Sequence, residues 1–127
     1  MNPVIRILVA DDEIHMRRVV SMFLERAGYR VETAANGREA LDAILKSPPD
    51  VLLTDINMPQ MTGQQLCQEL QKQMPERTFP IFVMTSMTER ENRDWQLHIP
   101  NSSLLEKPLS MRVLIADLAR HFAQVSG

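Results

Sequence analysis

Five short runs of β-branched and other aliphatic residues alternate with five longer segments in which apolar residues recur at helical spacing. Such alternation predicts strand-helix-strand units, in which parallel strands form one sheet and helices cover both of its faces. The runs that predict strands are residues 5–10, 30–34, 51–54, 80–84 and 102–105. We therefore expect an α/β fold with five parallel strands and five helices.

Four of the predicted helices carry a clear apolar stripe for packing against the sheet. The first, over residues 14–27, ends before Gly28, a residue type that commonly follows a helix C-terminus. Ser110 is suited to cap the last helix, because its hydroxyl can accept a backbone hydrogen bond. The stripes consist of Val20, Phe23, Leu24 and Ala27 in the first helix, Ala40, Leu41, Ile44 and Leu45 in the second, Leu66, Cys67 and Leu70 in the third, and Met111, Leu114, Ile115, Leu118 and Phe122 in the last.

The remaining helical segment, residues 88–97, is poor in apolar residues and is expected to pack weakly. Trp95 and Leu97 are its two apolar side chains. Thr88 and Glu91 have the spacing of a capping box, which would stabilise its start. Trp95 either anchors this helix or stands exposed as a docking residue. The predicted ion pairs at i, i+4 are Glu89 with Arg93 and Arg90 with Asp94.

The bulk composition indicates one ordinary globular domain. With 127 residues, 44% of them hydrophobic and 24% charged, the chain is expected to form a single domain over residues 1–127, without room for a separate output domain. A formal net charge of -2 argues against direct nucleic-acid binding, which needs a dominant basic surface. The longest apolar runs have the length of a strand, which argues against a membrane span. Because the single Cys67 cannot form an internal disulfide and no export signal is evident, we expect a cytoplasmic location.

Carboxylates follow two of the predicted strands at the point where each strand ends. Asp11 and Asp12 come directly after the first strand, and Asp55 comes after the third. In a sheet of order 2-1-3-4-5 these strands are neighbours, and their carboxyl ends line the crevice where open α/β sheets bind ligands. Three carboxylates at close range repel one another, and a hard divalent cation removes that repulsion. The sequence therefore predicts a site for Mg²⁺, with Mn²⁺ as a substitute.

The residues around Asp55 favour phosphoryl chemistry. A turn over residues 55–63, with its proline and glycine, would expose the Asp55 carboxylate at the sheet edge. A carboxylate that attacks phosphorus forms an acyl phosphate, and positive charge must stabilise the transferring oxygens. Lys107, which closes the fifth strand, can supply an ammonium group. Thr85, which closes the fourth strand, can donate a hydroxyl hydrogen, and the neighbouring Ser86 competes for that role.

Together, these residues resemble the receiver domains of two-component response regulators in their order and approximate spacing. The resemblance covers essentially the whole chain. Residues 16–18 (Met-Arg-Arg) and 55–59 (Asp-Ile-Asn-Met-Pro) look especially like the single-domain chemotaxis members of that family. The resemblance implies a flavodoxin-like fold, and it implies a histidine kinase or a histidine phosphotransfer protein as the phosphoryl donor.

The resemblance also implies a role for each matching residue. The carboxylates of Asp12 and Asp55 and the backbone carbonyl of Asn57 would bind Mg²⁺. Asp11 would act largely through water. The positions that match the family's acidic pair, phosphoacceptor, hydroxyl residue and lysine are Asp11 with Asp12, Asp55, Thr85 and Lys107.

The region around the fifth strand matches the family only in part. The resemblance implies a cis peptide bond between Lys107 and Pro108, which is uncommon even before proline. Many members carry an aromatic residue three positions before the lysine, but this chain has Leu104 there. Residues 97–102 replace the usual turn of small residues, and Pro100 stiffens this connection. We therefore expect an unusual output face.

Several functions remain open from the sequence alone. In the leading interpretation the chain is a signalling module rather than an enzyme, and phosphorylation of Asp55 switches the surface of the fourth helix, fifth strand and fifth helix for an unidentified protein partner. A phosphate sink or relay without such a partner is the alternative. A phosphohydrolase with an aspartyl nucleophile is disfavoured, because Asn57 stands where a second acid is needed. A flavin module is disfavoured too, because acidic residues 11–13 would repel the phosphate of FMN.

Overall fold

Strands and helices alternate along the chain, as the sequence pattern predicts. The computed structural model describes residues 4–86, 94–107 and 109–126. The strands are β1 (Arg6–Ala10), β2 (Arg30–Ala34), β3 (Val51–Asp55), β4 (Ile81–Thr85) and β5 (Ser102–Glu106). The α-helices within these residues are α1 (Ile14–Arg26), α2 (Gly37–Lys46), α3 (Gly63–Gln73) and α4 (Met111–Ser126), and a 3₁₀ helix covers Asp94–His98.

All five strands pair in parallel in the order β2-β1-β3-β4-β5. This order confirms the predicted doubly wound, flavodoxin-like fold. In the register, Ala10 at the end of β1 lies opposite Thr54, and Thr85 at the end of β4 lies opposite Glu106. The carboxyl ends of these strands therefore share one edge of the sheet, where a ligand crevice is expected.

The core consists of two apolar layers, one on each face of the sheet. Because side chains alternate along a strand, Leu8 and Leu52 pack with residues of α2 and α3, whereas Leu53 packs with residues of α1 and α4. Each of these leucines is almost completely buried. Full burial of one such side chain stabilises the fold by about 1.5–3 kcal/mol. The sheet is thus held rigidly from both sides.

Short-range polar contacts fix the helix ends. Gly28 follows α1 with a φ of 100°, a conformation that favours glycine, and this confirms its predicted position after the helix. The Ser110 hydroxyl accepts a hydrogen bond from the Val113 N–H at 3.3 Å, which confirms the predicted cap of the last helix. Thr62 and Gln65 form a capping box at the start of α3 that the sequence analysis did not identify.

The predicted apolar stripes are wrong at three positions. Phe23 is 37% exposed and Leu45 is 44% exposed. Ala27 is also exposed. In α1 the completely buried side chains are Val20 and Leu24, so the contact with the sheet is narrower than the spacing suggested. Phe23, Ala27 and Leu45 therefore lie at the margins of their stripes, beside fully buried residues such as Leu24 and Ile44.

The prediction of a fourth α-helix over residues 88–97 is wrong in the part that the structure describes. Residues 94–98 form a 3₁₀ helix, so the four α-helices of the described residues stand against five predicted ones. The side-chain amide of Gln96, within this 3₁₀ helix, donates to the Ser102 carbonyl at 3.0 Å. This contact holds the 3₁₀ helix against β5. Trp95 is half-buried against the core on the α3 side, whereas Leu97 is 77% exposed and anchors nothing. The predicted capping box of Thr88 with Glu91 and the ion pairs of residues 89–94 involve positions outside the described residues.

Hydrogen bonds tie the connection before β5 to the start of β4. The Arg77 guanidinium donates to the carbonyls of Phe79, at 2.7 Å, and Pro100. The Asn101 side chain donates to the Thr78 carbonyl at 3.2 Å. These contacts, rather than Pro100 alone, stiffen the connection and fix β5 beside β4. Across the described ranges, none of the helices combines the length and the apolar composition that crossing a membrane requires.

Candidate functional site

Three carboxylates meet at the carboxyl edge of the sheet. Asp11 and Asp12 directly follow β1, and Asp55 is the last residue of β3. Because β1 and β3 are adjacent, the three side chains can offer carboxylate oxygens that all lie within 4.8 Å of one another. Asp11 and Asp55 are buried, whereas Asp12 is exposed. The structure therefore brings together the acidic residues that the sequence analysis singled out.

Asp11 is held so that one of its carboxylate oxygens remains unpaired. Its Oδ1 accepts a hydrogen bond from the Glu13 N–H at 2.9 Å. Its Oδ2 is buried and has no hydrogen-bond partner among the described residues. Burial without a partner is costly for a carboxylate oxygen, and a cation or a bound water would remove that cost. The unpaired oxygen therefore fits a cation site at this edge.

The electrostatic environment of Asp11 also favours a bound cation. Burial raises the pKa of the Asp11 carboxyl above its ordinary value, and the nearby charges of Asp55 and Asp12 raise it further. The Glu13 N–H and the Lys107 ammonium act in the opposite direction and lower this pKa. A site that disfavours its own negative charge is stabilised by a divalent cation. Carboxylate oxygens are the ligands that hard cations such as Mg²⁺ prefer.

Asp55 forms an ion pair with Lys107 across the sheet edge. The Lys107 Nζ lies 3.0 Å from the Asp55 Oδ1, which also accepts the Ile56 N–H at 2.8 Å. The Lys107 backbone N–H donates to the Thr85 carbonyl at 2.8 Å, so the end of β5 is held beside the end of β4. The two charged residues are 52 positions apart in the chain, and the strand order brings them together.

The turn after Asp55 requires a glycine at its end. The Gly63 N–H donates to the Ile56 carbonyl at 2.7 Å. A Cβ atom at Gly63 would lie 2.1 Å from the Asp55 carbonyl oxygen, far inside van der Waals contact. The capping box of Thr62 and Gln65 then starts α3 directly behind the turn. The backbone of Asp55 is therefore packed against the first residue of α3.

The remaining predicted residues lie around this centre. Thr85 is buried, and its hydroxyl donates to the Ser86 carbonyl at 3.2 Å. Asn57 is exposed in the turn two residues after Asp55. Leu104 lies on β5 and packs, half-buried, against the core layer on the α3 side of the sheet. Pro108, with the predicted cis peptide bond, lies outside the described residues.

Two arginines with clear structural contacts were missed by the sequence analysis. Arg17 donates to the backbone carbonyl of Asp11 at 2.8 Å, and Arg77 ties β4 to the connection before β5. The only signal for Arg17 was its position in the Met-Arg-Arg motif of residues 16–18. Nothing in the sequence pattern indicates Arg77, because its acceptors are backbone carbonyls that only the fold brings within reach.

The sequence of this chain matches a known protein family and several curated proteins. Residues 7–119 match a family model described as the response regulator receiver domain. The probable transcriptional regulator ycf27 of Porphyra purpurea is 39% identical over 113 residues, which cover 89% of this chain and 45% of that protein. The transcriptional regulatory protein ResD of Bacillus subtilis (strain 168) is 33% identical over 110 residues, which cover 87% of this chain and 45% of that protein. The chain thus spans less than half the length of these curated relatives.

Solved structures of similar proteins share the fold. The chemotaxis response regulator CheY4 of Vibrio cholerae is 36% identical and superposes with a TM-score of 0.84, covering 93% of this chain and 98% of that one. The receiver domain of NtrX from Brucella abortus is 29% identical, with a TM-score of 0.79 over 90% of this chain and 95% of that one.

Proposed function

The chain belongs to the response regulator receiver domain family, and from that premise we propose that Asp55 accepts a phosphoryl group in a Mg²⁺-dependent reaction. The donor is a histidine kinase or a histidine phosphotransfer protein. The observation that carries the proposal is the 3.0 Å ion pair between Lys107 and Asp55, beside the carboxylates of Asp11 and Asp12. It combines a nucleophile, a fixed cation and a metal-binding acid pair at one sheet edge.

The reaction transfers the phosphoryl group from nitrogen to oxygen. A carboxylate oxygen of Asp55 forms the new bond to phosphorus, and the bond from phosphorus to the donor histidine nitrogen breaks. That nitrogen keeps the electron pair, so the donor leaves as a neutral histidine after it takes up a proton. Negative charge on the transferring oxygens needs a positive partner that is already in place. Lys107 supplies one, because its ammonium lies within hydrogen-bond distance of Asp55.

Mg²⁺ is held in this proposal by the carboxylates of Asp12 and Asp55 and by the backbone carbonyl of Asn57, with Asp11 acting through water. The buried and unpaired Oδ2 of Asp11 supports this assignment, because an ordered water bound to the cation would satisfy it. When bound, Mg²⁺ neutralises negative charge on the phosphoryl oxygens. Asp12 is exposed and can therefore exchange solvent for the metal without a large rearrangement.

Output in this proposal is binding of a protein partner rather than turnover of an external substrate. Thr85 and Lys107 border the segment that leads through the 3₁₀ helix into β5, so contacts to the phosphoryl group would act on that segment and on the neighbouring α4. Leu104, in place of an aromatic residue, favours a second candidate, a phosphate sink. The lifetime of the acyl phosphate separates the two, because a sink loses phosphate faster than a partner can bind.

The phosphoacceptor is tested by intact-mass measurement after incubation with acetyl phosphate or phosphoramidate and Mg²⁺. We expect the mass of one phosphoryl group on the wild type, none on Asp55→Asn, and none on the wild type when a chelator replaces Mg²⁺. Asp42→Asn is the matched control, because Asp42 is an exposed aspartate on α2, away from the site. A mass gain that persists in Asp55→Asn would refute the assignment.

A further inference from the structure

Arg17 reaches back from α1 to the end of β1. Its Nη1 donates to the backbone carbonyl of Asp11 at 2.8 Å, and the side chain is partly buried. Its own backbone N–H donates to the Glu13 carbonyl at 3.1 Å, so the base of the side chain is fixed by the first turn of the helix. Arg17 thus connects a rigid helix to the first residue of the acidic pair.

The carbonyl that Arg17 holds belongs to the peptide group between Asp11 and Asp12. Its orientation therefore sets the backbone dihedral angles on both sides, and with them the directions of both carboxylates. Asp11 is also held by its N–H, which donates to the Ala34 carbonyl at 3.1 Å, and by Glu13, whose N–H donates to its Oδ1. Asp12 is exposed, so packing does little to fix its side chain.

We propose that Arg17 is a positioning residue for the cation, and this proposal rests on the Mg²⁺ site of the proposed function. By fixing the Asp11–Asp12 peptide group, Arg17 keeps both carboxylates turned toward Asp55 despite their mutual repulsion. Without this hydrogen bond the exposed Asp12 turns outward, and Mg²⁺ binding must first restore its position. Outer contacts of this kind typically change metal affinity by about 10-fold to 100-fold.

The direction in which Mg²⁺ affinity changes when Arg17 is replaced separates a positioning role from a purely electrostatic one. Arg17 is a cation close to the acidic cluster, so by Coulomb's law alone its removal strengthens Mg²⁺ binding. Loss of positioning has the opposite result and weakens it. Arg18 is the matched control, since it is an exposed arginine on the same helix and its side chain makes no hydrogen bond or ion pair with another described residue. Removing Arg18 changes the local charge without changing the Asp11 backbone.

The test is a Mg²⁺ titration of the full chain at constant ionic strength, followed through the backbone amide signals of residues 11, 12 and 55. We expect Arg17→Ala to weaken the apparent Mg²⁺ affinity about tenfold, and Arg18→Ala to leave it unchanged or slightly tighter. Arg17→Met keeps a long apolar stem but no hydrogen-bond donor, and it is expected to weaken Mg²⁺ binding as Arg17→Ala does. Arg17→Lys retains a donor and is expected to recover part of the loss.

The outcomes distinguish this inference from the proposed function. If both Arg17→Ala and Arg17→Met stay folded and bind Mg²⁺ as tightly as the wild type or more tightly, Arg17 has no positioning role, even when Asp55 is phosphorylated normally. If the wild type binds Mg²⁺ more tightly than these variants but takes no phosphoryl group on Asp55, the proposed function fails and the role of Arg17 stands. A wild type that binds no Mg²⁺ overturns both.

Discussion

Gly63 shows how one missing side chain determines the position of the candidate nucleophile. The backbone carbonyl of Asp55 occupies the space where a Cβ atom at Gly63 would lie, 2.1 Å away. That carbonyl belongs to the backbone, so it can move only by shifting the end of β3. The turn and the proposed phosphoacceptor are therefore coupled through a direct contact between main-chain atoms.

Gly63→Ala is expected to lower the free energy of unfolding by about 1–3 kcal/mol, because the new methyl group forces β3 and α3 apart. It should also slow the phosphorylation of Asp55 by acetyl phosphate. Urea denaturation and intact-mass time courses measure the two effects. Gly28→Ala is the control, because it meets no atom within 4 Å and is strained only through its φ of 100°. We expect Gly28→Ala to lose stability without slower phosphorylation, and equal phosphorylation rates in both variants would contradict the coupling.

The reactivity of the Cys67 thiol tests how tightly α3 packs in the core. Its side chain is completely buried in α3, and burial raises the pKa of the thiol to about 12. Because the thiolate is the reactive form, we expect no modification by a disulfide reagent at pH 8 in the native protein and complete modification in denaturant. The absorbance of the released thiolate measures both. Rapid reaction of a protein that remains folded would show that α3 opens readily.

At the scale of the elements, the connection between β4 and β5 depends on Arg77. Its guanidinium donates to the carbonyls of Phe79 and Pro100, and its carbon atom Cζ lies 5.5 Å from the centre of the Phe79 ring. Burial lowers the pKa of Arg77 from its very high ordinary value, but the group remains charged at neutral pH. These contacts fix the strand that carries Lys107 at its end.

Arg77→Ala is expected to lower the free energy of unfolding by about 1–3 kcal/mol, since it leaves two carbonyls without their charged donor. The substitution should accelerate amide hydrogen exchange more in β5 than in β1, because the Arg77 contacts lie on the β5 side of the sheet. Arg38→Ala is the matched control, as Arg38 is exposed on α2. Equal stability of the two variants, with unchanged exchange in β5, would show that Arg77 does not hold this connection.

The element pattern was predictable because it depends on local periodicity. Each strand was predicted to within one residue at either end, because β1, β3 and β4 read as largely apolar runs and turn or helix-start residues bound β2 and β5. The acidic residues and Lys107 were predictable because they lie at strand ends that share one edge of the sheet. The contacts of Arg17 and Arg77 were not, because their acceptors are backbone carbonyls in the connections between strands and helices. The 3₁₀ helix was also missed, because Gln96 holds it through a contact with Ser102 rather than through helical spacing.

At the scale of the whole molecule, the sheet order explains why one edge collects the site. β1 and β3 are adjacent and central, and β4 and β5 follow in sequence on one side. Lys107 at the end of β5 therefore meets Asp55 at the end of β3, although the two residues are 52 positions apart in the chain. The same arrangement brings three carboxylates together, and they repel one another when no cation is bound. The prediction of a single domain over residues 1–127 stays a prediction.

This crowding predicts that Mg²⁺ stabilises the whole fold. A ligand that binds only the native state at tenfold its dissociation constant adds about 1.4 kcal/mol to the free energy of unfolding. For a domain of this size, the melting temperature should rise by roughly 5 °C. Asp12→Asn removes one charge from the cluster, so it should melt at a higher temperature than the wild type without Mg²⁺ and respond less to Mg²⁺. Asp42→Asn, remote from the cluster, should respond as the wild type does. Thermal unfolding at matched ionic strength measures all three proteins, and an equal response of the two variants would mean that Mg²⁺ binds elsewhere.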